Sequence, residues 1–162
     1  MPEPTQLLDL WRRLEPWPGG RRLFSFLLGR KARYTGSIAP RVLELGPGHA
    51  RVAMRDRAAV RNHLRSIHAI ALMNLAEVAS GLATIAALPP GARGILAGLT
   101  IEYLKKARGP LVASCDTVVD YAGERRELAV EALVHDAAGD LVARATARWL
   151  VGPETPKGGP RA

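Results

Sequence analysis

The chain has 162 residues, 48% hydrophobic but only 5% aromatic, with a formal charge of +8 and a pI near 10.5. That length suggests one domain, with a core of aliphatic and small side chains. The single cysteine, Cys115, excludes an intramolecular disulfide and a cysteine-rich zinc site, and the cations follow no zinc-finger or aromatic-interleaved pattern that would point to nucleic acid.

The N-terminal residues predict two helices. Thr5 is placed to cap Gln6–Leu14, in which Leu7, Leu10, Trp11 and Leu14 share a face. Pro16-Trp17-Pro18-Gly19-Gly20 ends it. A second helix, Arg21–Leu28, is apolar except for its arginines; its shortness favours packing over a sheet edge rather than lying on a membrane surface. A strand over Ser37–Leu45 follows, with Pro40 marking its start as an edge. After the Gly46-Pro47-Gly48 turn, His49–Arg55 alternates, with Ala50, Val52 and Met54 on the dry face.

A long helix is predicted over Ser66–Leu88, stopped by Pro89-Pro90-Gly91. Asn74, Glu77, Gly81 and Thr84 form one narrow stripe on it, and every other face is apolar or small. The run Ile67–Leu88 approaches membrane-span length, yet it holds His68, Asn74, Glu77 and Thr84, so it reads as a buried helix and no transmembrane segment is expected. Four strands complete the chain. Ile95–Lys105 sets Leu99, Ile101 and Tyr103 on one face, and Leu111–Asp120 does so with Ala113, Cys115, Thr117 and Val119. Arg126–Asp136 presents Leu128, Val130, Ala132 and Val134, and Leu141–Val151 closes the meander.

These elements divide the chain into an N-terminal helical extension (1–36), a main domain (37–151) and a Gly/Pro-rich tail (152–162) expected to be disordered. The fold class is α+β: six antiparallel strands around one core helix. The outer sheet edges need a cover or a partner, and dimerisation by sheet extension is the obvious remedy. The start Met1-Pro2-Glu3-Pro4-Thr5 lacks the features of a signal peptide. With the lone cysteine, this sets the expected location as cytoplasmic.

Glu77 is the one acid in the long helix. Burying an unpaired carboxylate costs several kcal/mol or raises its pKa, and such acids concentrate at functional sites. Asn62 and His68 precede it. Asn62, His68 and Glu77 resemble the Asn-x5-His-Gly-Gly-x6-Asp/Glu pattern of PaaI-like and hydroxybenzoyl-CoA-type thioesterases of the hotdog fold. Ile101 to Gly109 is similar to the strand-ending Tyr-Leu-x-x-Ala-x-Gly segment of that superfamily, and the order of elements is similar over Ser37–Val151. Three positions depart from the pattern: Ala69 and Ile70 replace the paired glycines, and Gly81 stands where one relative carries threonine.

The resemblance implies a hotdog sheet wrapped around the central helix, in a branch with an N-terminal helical extension. It also implies hydrolysis of an acyl-CoA thioester at a dimer interface. Glu77 would be nucleophile or general base, the Ala69 N–H would receive the developing oxyanion, and Asn62 and His68 would position water or substrate. Arg61, Arg65, Lys105, Lys106 and Arg108 would meet the phosphates of coenzyme A, which enters as part of the substrate; no separate cofactor or metal is expected. The expected partners are an acyl-CoA or acyl carrier protein substrate and a second copy of the chain, as a homodimer or dimer of dimers. The alternative is a non-catalytic hotdog module that binds acyl-CoA or acyl carrier protein, which the missing glycine pair favours. Each site residue also has a plain reading: Asn62 shaping its turn, His68 as a structural histidine, Glu77 as an interface ion-pair partner, and the cations as a solvated face. Asn74 and Thr84 read as helix-interface groups, and Cys115 as a small core residue.

Overall fold

The structure, a computed structural model, describes residues 4–154. Helices α1 (Pro4–Leu14), α2 (Gly20–Lys31) and α3 (Arg33–Gly36) precede strands β1 (Arg41–Gly46) and β2 (His49–Met54). A 3-10 turn (Ala58–Val60) leads to the long helix α4 (Ala69–Ala87). Strands β3 (Ala92–Tyr103), β4 (Leu111–Asp116), β5 (Arg126–His135) and β6 (Leu141–Pro153) follow. All pairings are antiparallel, in the order β1-β2-β4-β5-β6-β3.

Helix α4 packs against all six strands. Its composition dictates this: Leu75, Ala76, Ala79, Leu82 and Ala83 are buried on different sides, so no single flat layer can cover it. It is the one helix among the described residues long and apolar enough to cross a membrane, but 78% of its most apolar window is buried inside the protein. From the sheet, Ala50, Val52, Met54, Ala113, Cys115, Val130, Ala132 and Val134 meet it on the face that their alternation predicts.

Gly81 has a specific packing role. A Cβ there would lie 2.9 Å from the Trp149 ring, and Trp149 Nε1 donates to Ser80 Oγ at 3.3 Å. The Ser80-Gly81 pair therefore seats the indole of β6 against α4. This accounts for glycine at the position where the resemblance points to threonine.

The two sheet edges differ. On β1, the Val42 N–H donates to Ser25 Oγ (2.9 Å) and Arg21 Nη1 donates to the Leu43 carbonyl (2.9 Å), so α2 covers that edge as its sequence suggested. Among the described residues, the 12-residue strand β3 pairs with β6 on one side only, leaving its other edge open.

Several boundaries differ from the sequence reading. The first helix begins at Pro4, which suits a position needing no N–H, so Thr5 lies in its first turn instead of capping it. The strand expected from Ser37 begins at Arg41, because Ala39 has φ 47 and Pro40 has no ladder donor. Helix α4 starts three residues later than Ser66, since the Ile67 and His68 N–H groups bond the Ala107 and Val60 carbonyls. The strand at Leu111 stops at Asp116, so Thr117 and Val119 lie beyond it. Gly152 and Pro153, assigned to the tail, belong to β6, and the Glu154 N–H donates to the Gly91 carbonyl. The rest of the expected tail lies outside the described residues.

The wet face of β1, β2 and β4 carries a cross-strand cluster. His49 Nδ1 lies 2.6 Å from Asp116 Oδ1, and Nε2 lies 3.1 Å from Glu44 Oε2. The hydrogen bond to Asp116, then that to Glu44, raises the His49 pKa. The stabilisation is fully present below about pH 6.5 and is lost as pH rises through the folded value. NMR titration should place His49 above the ordinary histidine value, and Asp116→Asn should bring it down.

The Gly81-Trp149 packing makes a second expectation. Gly81→Thr should lower the unfolding free energy by about 1–3 kcal/mol in urea, as overpacking does.

Candidate active site

The N-terminal end of α4 is built from the loop before it. Asn62 Oδ1 accepts from Leu64 N (2.9 Å), Ser66 N (3.2 Å) and Ser66 Oγ (3.1 Å). These bonds hold Arg65 in the left-handed region at φ 55, a conformation a non-glycine keeps only when its surroundings fix it. The loop organiser is thus the part Asn62 visibly plays. Its Nδ2 has no acceptor among the described residues.

Neighbouring loops clamp this one. Arg61 Nε donates to Asp56 Oδ1 (2.5 Å), and Asp56 Oδ2 accepts from Gly109 N (2.8 Å). The Arg61 hydrogen bond holds the Asp56 carboxyl below its usual range. The Ile67 N–H donates to the Ala107 carbonyl at 2.9 Å, which ties the loop to the segment after β3.

His68 is the N-cap of α4. Its Nδ1 accepts from Ile70 N at 3.1 Å, so that nitrogen is unprotonated and the ring proton sits on Nε2. The His68 carbonyl takes the Ala71 and Leu72 N–H groups. Among the first four N–H groups of the helix, only that of Ala69 has no acceptor among the described residues. It is a free donor at the positive end of a 19-residue helix with no acid in its first turn. Tyr103 Oη donates to the Ala69 carbonyl at 3.1 Å and so holds the following peptide unit, Ala69–Ile70.

Glu77 is half-buried, and desolvation raises its pKa. Its carboxylate has no hydrogen bond or ion pair among the described residues. It also stands apart from the helix start. Eight residues separate it from Ala69, which at about 1.5 Å per residue is about 12 Å along the axis. A thioester oxygen at the Ala69 N–H is therefore out of reach of the same chain's Glu77.

A cavity of about 350 Å³ lies beside the start of α4, lined by His68, Ile70, Arg61, Tyr34 and Asn74 among others. Ile70 is 45% exposed there, so the replacement of glycine puts a branched side chain on the wall. Asn74, expected as a helix-interface group, joins α4 to α3. Its Nδ2 donates to the Tyr34 carbonyl (3.1 Å), while its buried Oδ1, like Thr84 Oγ1, has no partner among the described residues. Such orphan acceptors are uncommon. The place of Asn74 in the polar stripe with Glu77 was the available signal. Tyr103 was visible only as part of the strand-ending segment, because its partner is a backbone carbonyl 34 residues away.

The five cations assigned to coenzyme A divide into two groups. Lys105 Nζ bonds Asp136 Oδ2 (2.8 Å) and also Asp140, closing the β5–β6 turn, and Arg61 is paired with Asp56. Arg65, Lys106 and Arg108 are exposed and have no acidic partner among the described residues. Cys115 is 2% exposed, and burial, then the Asp116 charge, pushes its thiol up to about 12, which fits a core residue and not a nucleophile. No cluster of three potential metal ligands occurs among the described residues.

A family model described as Domain of unknown function (DUF4442) matches residues 20–151. The chain belongs to this family. The structural-genomics protein APC5556, 36% identical to this DUF4442 chain, superposes with TM-score 0.79 over 93% of this chain and 99% of that one. PA5026 from Pseudomonas aeruginosa, a protein of unknown function described as a probable thioesterase, is 23% identical with TM-score 0.73, covering 85% and 97%. Thioesterase HI1161 from Haemophilus influenzae is 12% identical with TM-score 0.69, covering 78% and 87%. At these identities the last two show the fold, and the DUF4442 chain has the hotdog architecture of these thioesterase-family neighbours. Comparison with curated proteins gave no match.

The unpartnered state of Glu77 has a thermodynamic consequence. Because its folded pKa is raised, its contribution to stability is fully present below the unfolded carboxylate value and is lost as pH rises through the folded one. Glu77→Gln should therefore equal or exceed the parent in stability at neutral pH, with the advantage vanishing in acid. An acid kept for an ion pair would give the opposite ordering in thermal melts.

Proposed function

We propose that the protein hydrolyses an acyl-CoA thioester at a site shared by two copies of the chain. The Ala69 N–H, His68 and Asn62 come from one copy and Glu77 from the other. One observation carries this reading: an unpartnered carboxylate and a free helix-terminal N–H in one chain, too far apart to serve one thioester. The open edge of β3 supports pairing with a second copy. The thioesterase names of structural neighbours support the reaction class.

In this reading the thioester carbonyl oxygen accepts from the Ala69 N–H, which stabilises the charge that develops as the carbonyl carbon becomes tetrahedral. The partner's Glu77 either takes a proton from the attacking water or attacks the carbonyl itself to form an anhydride that water then opens. In both cases the C–S bond breaks and coenzyme A leaves as its thiol, taking up the proton that water supplies. The raised pKa of Glu77 makes it a stronger base than an exposed carboxylate. His68, with its proton on Nε2, donates to substrate or water, and Asn62 offers Nδ2. Arg65, Lys106 and Arg108 meet the coenzyme A phosphates. Lys105 and Arg61 support the loops on which those three sit.

A second reading, a module that binds acyl-CoA or acyl carrier protein without turnover, is favoured by one observation. The Ile70 N–H is already taken by His68, and its side chain narrows the wall where glycine would leave room.

An acyl-CoA panel spanning aryl and fatty chains, read with a thiol reagent, should show turnover that Glu77→Ala lowers by about 100-fold or more. Binding of the esters without turnover would select the module instead. Ala69→Pro removes only the N–H, at a helix position where proline is tolerated and behind a residue whose ψ of 139 suits it. It should lower kcat by about 100-fold or more. Mixing the Ala69→Pro and Glu77→Ala chains should restore turnover, since one of the two shared sites then holds both groups; no restoration would place the site within one chain. Lys106→Glu with Arg108→Glu should raise KM for CoA esters more than for short thioesters lacking the nucleotide, and Lys105→Glu should act through stability.

A further inference from the structure

Beyond its bonds to the β1 edge, helix α2 keeps an exposed face. Beneath it, between α2–α3 and β1–β2, runs a groove of about 630 Å³. Arg22, Arg30, Arg33, Arg41, Arg55 and Arg57 line it, and no acidic residue does. Arg57 bonds only the neutral Ser37 carbonyl, and Arg30 lies over the Phe26 ring at 5.9 Å. The positive potential in the groove is thus uncompensated by the described residues.

The cations are joined to an exposed apolar strip. Phe26, on the groove wall, is 59% exposed, and Leu23 and Leu27 on the same helical face are 48% and 39% exposed. Leu27 continues into a hollow of about 430 Å³ between α1 and α2, shared with Leu10 and flanked by Arg13 and Lys31 against the single acid Asp9. Large apolar side chains held in water among unpaired arginines are the marks of an interfacial surface.

We propose that this face of α1 and α2 docks on an anionic phospholipid bilayer, with lipid phosphates in the arginine groove and Leu23, Phe26 and Leu27 entering the acyl boundary. A bilayer offers phosphate and hydrocarbon within one thin layer, which matches arginines and apolar side chains set side by side. A second copy fits poorly, because it would bring the same cationic face against itself. An acidic protein would meet the arginines but leaves unexplained apolar side chains that project from a helix instead of lining a pocket.

The test is co-sedimentation of the full chain with vesicles of phosphatidylcholine alone or mixed with phosphatidylglycerol. Retention is expected on the mixed vesicles and not on the neutral ones, and should fall with added salt. Arg30→Glu with Arg33→Glu should weaken it at least about tenfold, and Phe26→Ser about tenfold. Arg125→Glu with Arg126→Glu, an equal charge change at the start of β5, should leave it within about threefold. Retention that the two charge reversals reduce equally, or that Phe26→Ser leaves unchanged, would overturn the proposal. So would absence from anionic vesicles, whether inorganic pyrophosphate binds the groove instead or sedimentation velocity shows a second copy covering it.

Discussion

The enclosure of one helix governs this molecule. Helix α4 is apolar on nearly every side, so its burial requires a surface that bends around it, and the six strands supply one. Small residues allow close approach: Ala76, Ala79, Gly81 and Ala83 bring the sheet near, and Trp149 fills the space that Gly81 leaves. Enclosure also selects what stays available. Only the N-terminal turn and the half-buried position of Glu77 keep polar groups in reach of a ligand. A structural constraint thus places the free Ala69 N–H and the Glu77 carboxylate where chemistry can use them.

Much of this was legible in the sequence, for a physical reason. Alternation at His49–Met54 and Leu128–Val134, and the unbroken apolar run after His68, report burial directly. What stayed hidden depends on hydrogen bonds between distant segments. That Ile67 and His68 are held as extended chain follows from the Ala107 and Val60 carbonyls, which no local propensity encodes. Lys105 looked equivalent to Lys106 and Arg108, yet the β5–β6 turn brings Asp136 and Asp140 to it alone. From sequence Asn62 admits both a site role and a turn-shaping one, and the geometry shows it shaping the turn.

The charge of the chain likewise resolves into separate parts. Some arginines act structurally, as Arg61 does with Asp56 and Arg21 does on the β1 edge. Arg65, Lys106 and Arg108 gather near the helix start, and six more line the groove under α2. Among the described residues, the excess positive charge thus includes two unneutralised patches on different elements. In the two proposals the patches take different anions: a soluble nucleotide ester beside α4, and a phosphate-bearing surface beside α2.

The central claim is that one thioester is handled by two chains. Its most direct test is a crystal structure with a non-hydrolysable 2-oxoalkyl-CoA, a ketone analogue of an acyl-CoA in which a methylene separates the carbonyl from the sulfur. The account predicts the analogue at the start of α4, its carbonyl oxygen within hydrogen-bond distance of the Ala69 N–H of one protomer and its carbonyl carbon facing Glu77 of the other. An analogue bound away from the Ala69 N–H, or with no Glu77 of a second protomer facing it, would contradict that claim.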